Sequence, residues 1–276
     1  MKPSIRIEAV VLASALLATS AAAQGDTGFL RGQGHFTAAY SYTNDSYDQF
    51  WLGNDLVSPP QVGKVERETA SLYVAYGLTD AIDLVVNANY VEAETSGTDP
   101  IEDQDDLQDL YLGAKWRVWS HGDLESAFLV LLAPSIKLPM TDYEDNDVTA
   151  IGDDQVDLRM RLIAHYRYQG YFWSIESGYD RRNGPPHDEI PVNLTLGGTF
   201  GNVTVMPFYS TFESLGGIDI GEGTFPATEE EASRVGLAAY ARIGTNFGVT
   251  GMVRTTLDGM NTGDANAFSL GLVFNY

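Results

Sequence analysis

Residues 107–119, LQDLYLGAKWRVW, alternate between apolar side chains and side chains that are mostly polar or small. One parity holds Leu110, Leu112, Ala114, Trp116 and Val118, and the other holds Asp109, Tyr111, Gly113, Lys115 and Arg117. A period of two indicates a strand with two unlike faces. The apolar face either packs on the core of a soluble sheet or faces lipid while the charged face lines a water-filled barrel.

The N-terminus favours export. Lys2 and Arg6 precede an apolar run over residues 9–18, and the small residues Ser20, Ala21, Ala22 and Ala23 follow. This order is typical of a secretory signal peptide. The run is about half the length of about twenty residues that a membrane-spanning helix needs. We therefore expect a signal peptide over residues 1–23 and a single mature domain over residues 24–276; an uncleaved N-terminal anchor is the alternative.

The composition excludes several classes of protein. The chain has no cysteine, so an exported domain of this size must rely on a large continuous fold rather than on disulfides. The formal net charge of -22 argues against a nucleic-acid partner, which would need basic patches. No second apolar run approaches the length of a spanning helix, so any membrane span must be made of strands.

Twelve alternating segments follow one another along the chain, each about eleven residues long, the length a tilted strand needs to cross a bilayer. Strands of soluble proteins are more often about five or six residues long. The predicted strands cover residues 33–43, 65–77, 81–92, 107–118, 124–138, 155–168, 171–181, 190–200, 202–212, 232–243, 247–257 and 265–276.

The connections between these segments alternate between long and short. The long ones cover residues 44–64, 93–106, 139–154, 182–189, 213–231 and 258–264. Strict alternation places all the long loops at one end of the molecule. The sequence therefore predicts an all-β fold, a transmembrane antiparallel up-and-down β-barrel of about 12 strands in the cell outer membrane, with short periplasmic turns and long acidic outer loops.

The last predicted strand, ANAFSLGLVFNY, ends on an aromatic residue. Its polar, glycine and terminal hydrophobic positions resemble the C-terminal signal that the barrel-assembly machinery recognises in outer-membrane proteins. The four assembly-signal residues are Ser269, Gly271, Phe274 and Tyr276. The expected partners are this machinery, outer-membrane lipid, lipopolysaccharide and a small-molecule solute.

Many charged residues fall on the predicted lumen face. The pore-lining candidates are Asp83, Asp109, Lys115, Arg117, Asp157, Arg159, Arg161, His165, Arg167, Glu176, Arg242 and Arg254. Opposed basic and acidic walls would orient polar solutes and set charge selectivity. Alternatively, these charges pair with one another and fill a lumen that twelve strands leave only moderately wide.

Acidic residues also concentrate in the outer loops, at residues 101–106, 142–147 and 227–231. We expect a solvated acidic rim, bridged by divalent cations to lipopolysaccharide, rather than a dedicated metal site, because no EF-hand-like loop is present. Pro134 and Pro207 remove ladder donors inside predicted strands, which predicts a bulge or kink at each. Such a kink either opens a sideways exit for hydrophobic solutes or is a harmless irregularity.

An enzyme is the competing class. An outer-membrane lipid hydrolase would need a serine–histidine pair on the lipid side. His35 and His165 fall on the lumen face, His121 in a periplasmic turn and His187 in an outer loop. No Gly-x-Ser-x-Gly or zinc motif occurs. We therefore expect no catalytic residue and no cofactor; a lipid hydrolase and a soluble periplasmic β-sandwich remain alternatives.

Two adjacent segments carry a family resemblance. DLQDLYLGAKWRVW, with Asp109, Lys115 and Arg117, and ESAFLVLLAPSIKLPMTD, with Lys137 and Pro139, resemble the outer-membrane transporter family named for the meta-cleavage pathway of phenol degradation. Met140-Thr141 departs from the Thr-Gly expected after the proline. The resemblance implies uptake of small hydrophobic or aromatic compounds. The predicted function is passive uptake of small molecules through an outer-membrane channel, and the alternative is a structural or plugged barrel.

Overall fold

The computed structural model describes residues 26–98, 101–123, 125–145, 147–219 and 227–276. The expected signal peptide over residues 1–23 lies outside the described residues. No helix in the described part of the chain is long and apolar enough to cross a membrane.

Long alternating segments form one closed sheet. The strands are β1 (Phe36–Tyr47), β2 (Phe50–Leu52), β3 (Asp55–Val57), β4 (Val65–Thr79), β5 (Ile82–Thr95), β6 (Gln104–Gly122), β7 (Ser126–Pro139), β8 (Asp157–Tyr168), β9 (Tyr171–Arg182), β10 (Glu189–Phe200), β11 (Val203–Ser214), β12 (Glu231–Ile243), β13 (Phe247–Met260) and β14 (Asn266–Asn275). All except β2 and β3 close into an antiparallel barrel in which β14 pairs with β1. The predicted twelve-strand barrel is confirmed.

Two details differ from the sequence expectation. The first long loop contains the hairpin β2–β3, which was not predicted because each of its strands has only three residues. Strand β6 continues to Gly122 instead of ending at residue 118. Its register shifts between Arg117 and Trp119, and this irregularity turns Trp119 to the exterior together with Trp116 despite their opposite parity.

The two faces of the wall have opposite character, as strand β8 illustrates. Leu158, Met160 and Leu162 are about half exposed on the exterior, whereas Asp157 and His165 are buried inside. In a soluble protein the apolar side chains would lie inside and the charged ones outside, because water disfavours exposed apolar surface. An apolar exterior is stable only in an apolar solvent such as lipid. The apolar exterior is therefore the lipid-facing surface and the charged face is the lumen.

This exterior gives a direct test in the middle of β8. Leu162→Arg is expected to lower the free energy of unfolding in lipid vesicles by about 2–4 kcal/mol, because the guanidinium would enter the hydrocarbon layer. Leu56→Arg in the hairpin, outside the barrel wall, is the matched control and should change it by less than about 0.5 kcal/mol. A urea titration measures both, and equal losses would contradict a lipid-facing β8.

The prolines do not bulge the wall, so the expectation of a bulge at Pro134 and Pro207 is wrong. Strands β6 and β7 keep one register on both sides of Pro134, and strands β10 and β11 keep one register on both sides of Pro207. Each proline only interrupts the ladder on one side, because it removes a donor without adding a residue. The described register shifts lie elsewhere, between Gly77 and Thr79, Ala88 and Tyr90, Arg117 and Trp119, and Ser233 and Arg234.

Strand β14 closes the barrel through a close backbone approach. Ser269 is buried on the lumen side and donates to the carbonyl of Tyr42 at 3.1 Å. A Cβ at Gly271 would lie 2.9 Å from the Tyr40 carbonyl oxygen, so any side chain there would push the two strands apart. The terminal Tyr276 is 69% exposed, and its backbone N–H donates to Phe36 at 2.9 Å.

Candidate functional site

The N-terminal segment (residues 26–31) enters the lumen from the periplasmic end. Lys115, on β6, donates from its ammonium to the carbonyls of Thr27 at 2.7 Å and Phe29 at 3.0 Å. The backbone N–H of Arg31 donates to the Asp83 carboxylate at 3.0 Å, and that of Asp26 to Glu176 at 2.7 Å. Buried charges of the wall therefore satisfy the backbone of this segment, which has no strand partner of its own.

Phe29 closes the same end with apolar surface. Its ring lies 4.5 Å from the His165 ring and 4.9 Å from the Phe172 ring, both in edge-to-face contact. A Cβ at Gly28 would collide with His165. His165 Nδ1 is hydrogen-bonded to Ser174 Oγ at 2.6 Å, so this histidine and serine pair lies inside the barrel beneath Phe29.

The third outer loop (residues 140–156) folds into the lumen from the opposite end. Asp153 is buried and forms ion pairs with both Lys137 of β7 and Arg182 of β9. Tyr143 donates its hydroxyl to Asp109 at 2.9 Å. Ile151 is buried against Val91, Ala93 and Tyr143 in an apolar cluster. Two ion pairs, a hydrogen bond and apolar packing thus fix the loop inside the mouth.

Asp153 makes the position of the third outer loop dependent on pH. Burial alone would raise the pKa of the Asp153 carboxyl, but the charges of Lys137 and Arg182 outweigh it and lower that pKa below its ordinary value. The stabilisation is therefore present above the ordinary pKa and is lost as the pH falls through the lowered one. We expect amide hydrogen exchange of residues 147–154, corrected for intrinsic rates, to accelerate below about pH 4. Uniform protection down to about pH 2 would contradict this.

The described residues line an inner and an outer cavity between the N-terminal segment and the outer mouth. The inner cavity has a volume of about 310 Å³ and is bounded by Asp26, Lys115 and Arg161 among others. The outer cavity has a volume of about 560 Å³ and is bounded by the third outer loop, by Arg67 and by Arg254 among others. Four residues line both cavities, namely Asn87, Tyr111, Arg159 and Arg234. We call these four residues the neck.

The charges of one wall pair with each other across neighbouring strands. Lys137 on β7 lies 2.8 Å from Asp157 on β8, and Arg159 lies 3.4 Å from Asp180 on β9. Arg161 donates to Asp180 at 2.6 Å and its Nε lies 3.7 Å from Glu176. The acids and bases thus alternate on one wall, β7 to β9, instead of facing each other across the lumen.

The pore-lining candidates occupy three levels of the lumen. Lys115, Arg161 and Glu176 line the inner cavity, Asp109 and Arg254 the outer one, and Arg159 both. Asp83 and His165 are buried against the N-terminal segment, and Asp157 is buried against Lys137. The remaining candidates, Arg117, Arg167 and Arg242, lie near the periplasmic turns; Arg167 contacts Asp123 and Arg242 contacts Asn202. Those last six line neither of the two cavities.

Sequence reasoning missed the two segments that enter the lumen and part of the neck. Alternation places Arg234 on the lumen face, but nothing in the pattern distinguishes it from the other lumen arginines. Tyr111 and Asn87 have the same parity as the charged residues of their strands, which is the signal that could have identified them. The N-terminal segment, DTGFLR, has neither strand alternation nor a motif.

Comparison with known proteins agrees with this architecture. The chain is similar to the COG4313 outer membrane channel from Pseudomonas putida F1, with 13% identity, 91% of this chain and 99% of that chain covered, and a TM-score of 0.76. It is also similar to the translocator domain of the autotransporter NalP from Neisseria meningitidis, with 11% identity, 87% and 88% covered, and a TM-score of 0.52. No curated protein matches the chain.

These likenesses show the fold, and the sequence itself shows the family. Residues 23–272 match the family described as "Putative MetA-pathway of phenol degradation". The match extends the resemblance of two adjacent segments to most of the chain. With its closed twelve-strand wall and apolar exterior, the protein is located in the outer membrane. The chain therefore belongs to this phenol-degradation family of outer-membrane β-barrels.

Proposed function

We propose that the protein is a passive channel through which small molecules, hydrophobic or aromatic compounds among them, cross the outer membrane along a charge-lined lumen. The observation that supports this most directly is the pair of cavities that share the neck, because together they follow the lumen from the third outer loop to the N-terminal segment. Family membership supports the solute class, since the family is named for phenol degradation.

The proposal is tested in planar bilayers. The purified protein should give discrete conductance steps, and Arg159→Glu or Arg161→Glu should shift the reversal potential in a salt gradient, because each replaces a positive charge at a cavity wall with a negative one. Arg181→Glu, at an exposed position at the end of β9, is the matched control and should leave the reversal potential unchanged. Absence of steps, with unchanged growth of a deletion strain on aromatic carbon sources, would reject transport.

A structural barrel is the second candidate, and the N-terminal segment favours it, because this segment occupies the periplasmic end of the lumen. The bilayer experiment separates the two functions, since a permanently filled barrel gives no steps. A lipid hydrolase has less support. The hydrogen-bonded His165 and Ser174 face the lumen and are covered by Phe29, so a lipid chain in the bilayer does not reach them.

The partners and the processing site belong to the same proposal. Signal-peptide cleavage after residue 23 would leave the mature chain beginning two residues before Asp26. Ser269, Gly271, Phe274 and Tyr276 would be recognised by the barrel-assembly machinery before β14 pairs with β1. The acidic rim, with Glu102, Asp103 and Asp105 exposed, would meet lipopolysaccharide through divalent cations.

A further inference from the structure

The neck contains two arginines and no acidic residue. Arg234 on β12 and Tyr111 on β6 come from strands six positions apart in the ring of twelve, so they approach the lumen from opposite sides. Arg159 and Asn87 complete the neck. Any solute that moves between the cavities must therefore pass two guanidinium groups, one amide and one phenol.

Arg234 differs from Arg159, the other arginine of the neck, because Arg159 forms an ion pair with Asp180 and Arg234 forms none with a described residue. Its guanidinium carbon lies 5.2 Å from the centre of the Phe212 ring, and its Nε is buried without a hydrogen-bond partner among the described residues. In the same part of the structure, no carboxylate lies within ion-pair distance of Arg234. Arg234 is only partly exposed, and a guanidinium that is partly withdrawn from water without an ion-pair partner is costly, so the arrangement is suited to an anion that arrives with the solute.

The acids around the inner cavity are already engaged. Asp26 lies 3.6 Å from Lys115, Glu176 lies 3.7 Å from Arg161, Asp180 accepts from Arg161, and Glu189 lies 3.7 Å from Arg182.

In the outer cavity, Arg254 is paired with Asp45. Asp145, Asp147 and Glu230 also line the outer cavity; all three belong to outer loops, and Glu230 accepts a hydrogen bond from Thr262. Of the two arginines in the neck, Arg159 pairs with Asp180, so the guanidinium left without an ion pair is that of Arg234.

The neck also offers flat apolar surface beside its charge. Arg159 lies over the Tyr111 ring at 4.6 Å, and Phe212 lies under Arg234. A guanidinium that is stacked on a ring keeps its in-plane N–H donors directed outward for a carboxylate, and the Tyr111 and Phe212 side chains place aromatic surface next to the path of the solute. A small aromatic carboxylate satisfies both features at once.

We propose that Arg234, with Arg159 at the same level of the lumen, forms a carboxylate-recognition point at the neck, and that the channel takes up small aromatic carboxylates in preference to neutral aromatic compounds. This inference rests on the proposed function and names the solute class. An entering solute would then pass the acidic outer mouth first and the positive neck second. Only a solute with one compact negative charge and a flat ring binds favourably at the neck.

Binding to the folded protein in detergent tests the recognition point. Benzoate and its neutral analogue benzamide are titrated calorimetrically, and heat-modifiable gel migration verifies that each variant is folded. Benzoate is expected to bind saturably and more tightly than benzamide. Arg234→Gln should weaken benzoate binding about tenfold or more, because the paired donors are lost. Arg234→Lys keeps the positive charge but loses the planar pair of donors, so its benzoate affinity should lie between that of wild type and that of Arg234→Gln. The benzoate affinity of Arg181→Gln should equal that of wild type.

Flux into vesicles separates this inference from the proposed channel. Faster entry of benzoate than of benzamide, lost in Arg234→Gln with benzamide entry unchanged, supports both. Equal entry of the two probes in wild type, or wild-type benzoate binding in Arg234→Gln, overturns the inference and leaves the channel standing. Binding that depends on Arg234, with neither probe entering, supports the recognition point and rejects the channel.

Discussion

Gly28→Val is expected to raise the single-channel conductance of the reconstituted barrel by about twofold or more, because conductance follows the narrowest part of a pore. A side chain at position 28 collides with the His165 ring, so the N-terminal segment has to leave its position. Lys115 would then lose the carbonyls of Thr27 and Phe29, and the inner cavity would open to the periplasm.

Gln33→Ala is the matched control for this prediction. Gln33 is exposed at the periplasmic rim, where its backbone N–H, and not its side chain, contacts Asp80. Its replacement should therefore leave the conductance at the wild-type value. A second variant, Phe29→Ala, loosens the same segment without a collision and should raise the frequency of opening. Unchanged conductance in Gly28→Val would mean that the N-terminal segment is not the barrier to ions.

Lys137→Met is expected to release the third outer loop and to lower the free energy of unfolding by about 3–5 kcal/mol. Removing one partner of a buried ion pair leaves the other partner buried without a compensating charge. Lys137 is buried between Asp153 and Asp157, so its loss leaves two carboxylates close together without their shared cation. The measurements are urea unfolding in vesicles, and protease cleavage within residues 140–156 of the folded protein.

Lys64→Met provides the comparison for Lys137→Met. Lys64 pairs with Glu66 at the outer rim, and about half of each side chain is exposed. Water already solvates both groups, so Lys64→Met should lower the free energy of unfolding by about 1 kcal/mol or less. If Lys137→Met were no more destabilising than Lys64→Met, and the loop stayed resistant to protease, the ion pairs of Asp153 would not be what holds the loop.

Alternation predicted the wall because each strand residue meets one of only two environments. Leu158 and Asp157 are adjacent in sequence and face lipid and lumen respectively, so their polarity alone assigns the faces. The strand ends were less predictable. Whether β6 stops at residue 118 or continues to Gly122 depends on pairing with β7, and the polarity of its last residues does not record that pairing.

The contents of the lumen could not be predicted in the same way. The N-terminal segment is held by Lys115, Asp83 and Glu176. These residues belong to strands β6, β5 and β9, all of which are far from the segment in sequence. Alternation places these charges inside but does not say whether they contact a solute, another wall residue or a returning segment. Arg234 shows the same limit, because its lack of an acidic partner is a property of the assembled barrel and not of its own strand.

The route of the N-terminal segment also constrains the order in which the protein assembles. The segment is continuous with β1, yet Asp26 reaches Glu176 on β9, which is six strands from β1 around the ring in either direction. These contacts join residues 150 positions apart, so they form only after most of the wall exists. Once β1 pairs with β14, the wall has no open edge. The N-terminal segment therefore reaches its final position late in assembly, by entering the nearly or fully closed ring through its periplasmic end, although it is made before every strand of the wall.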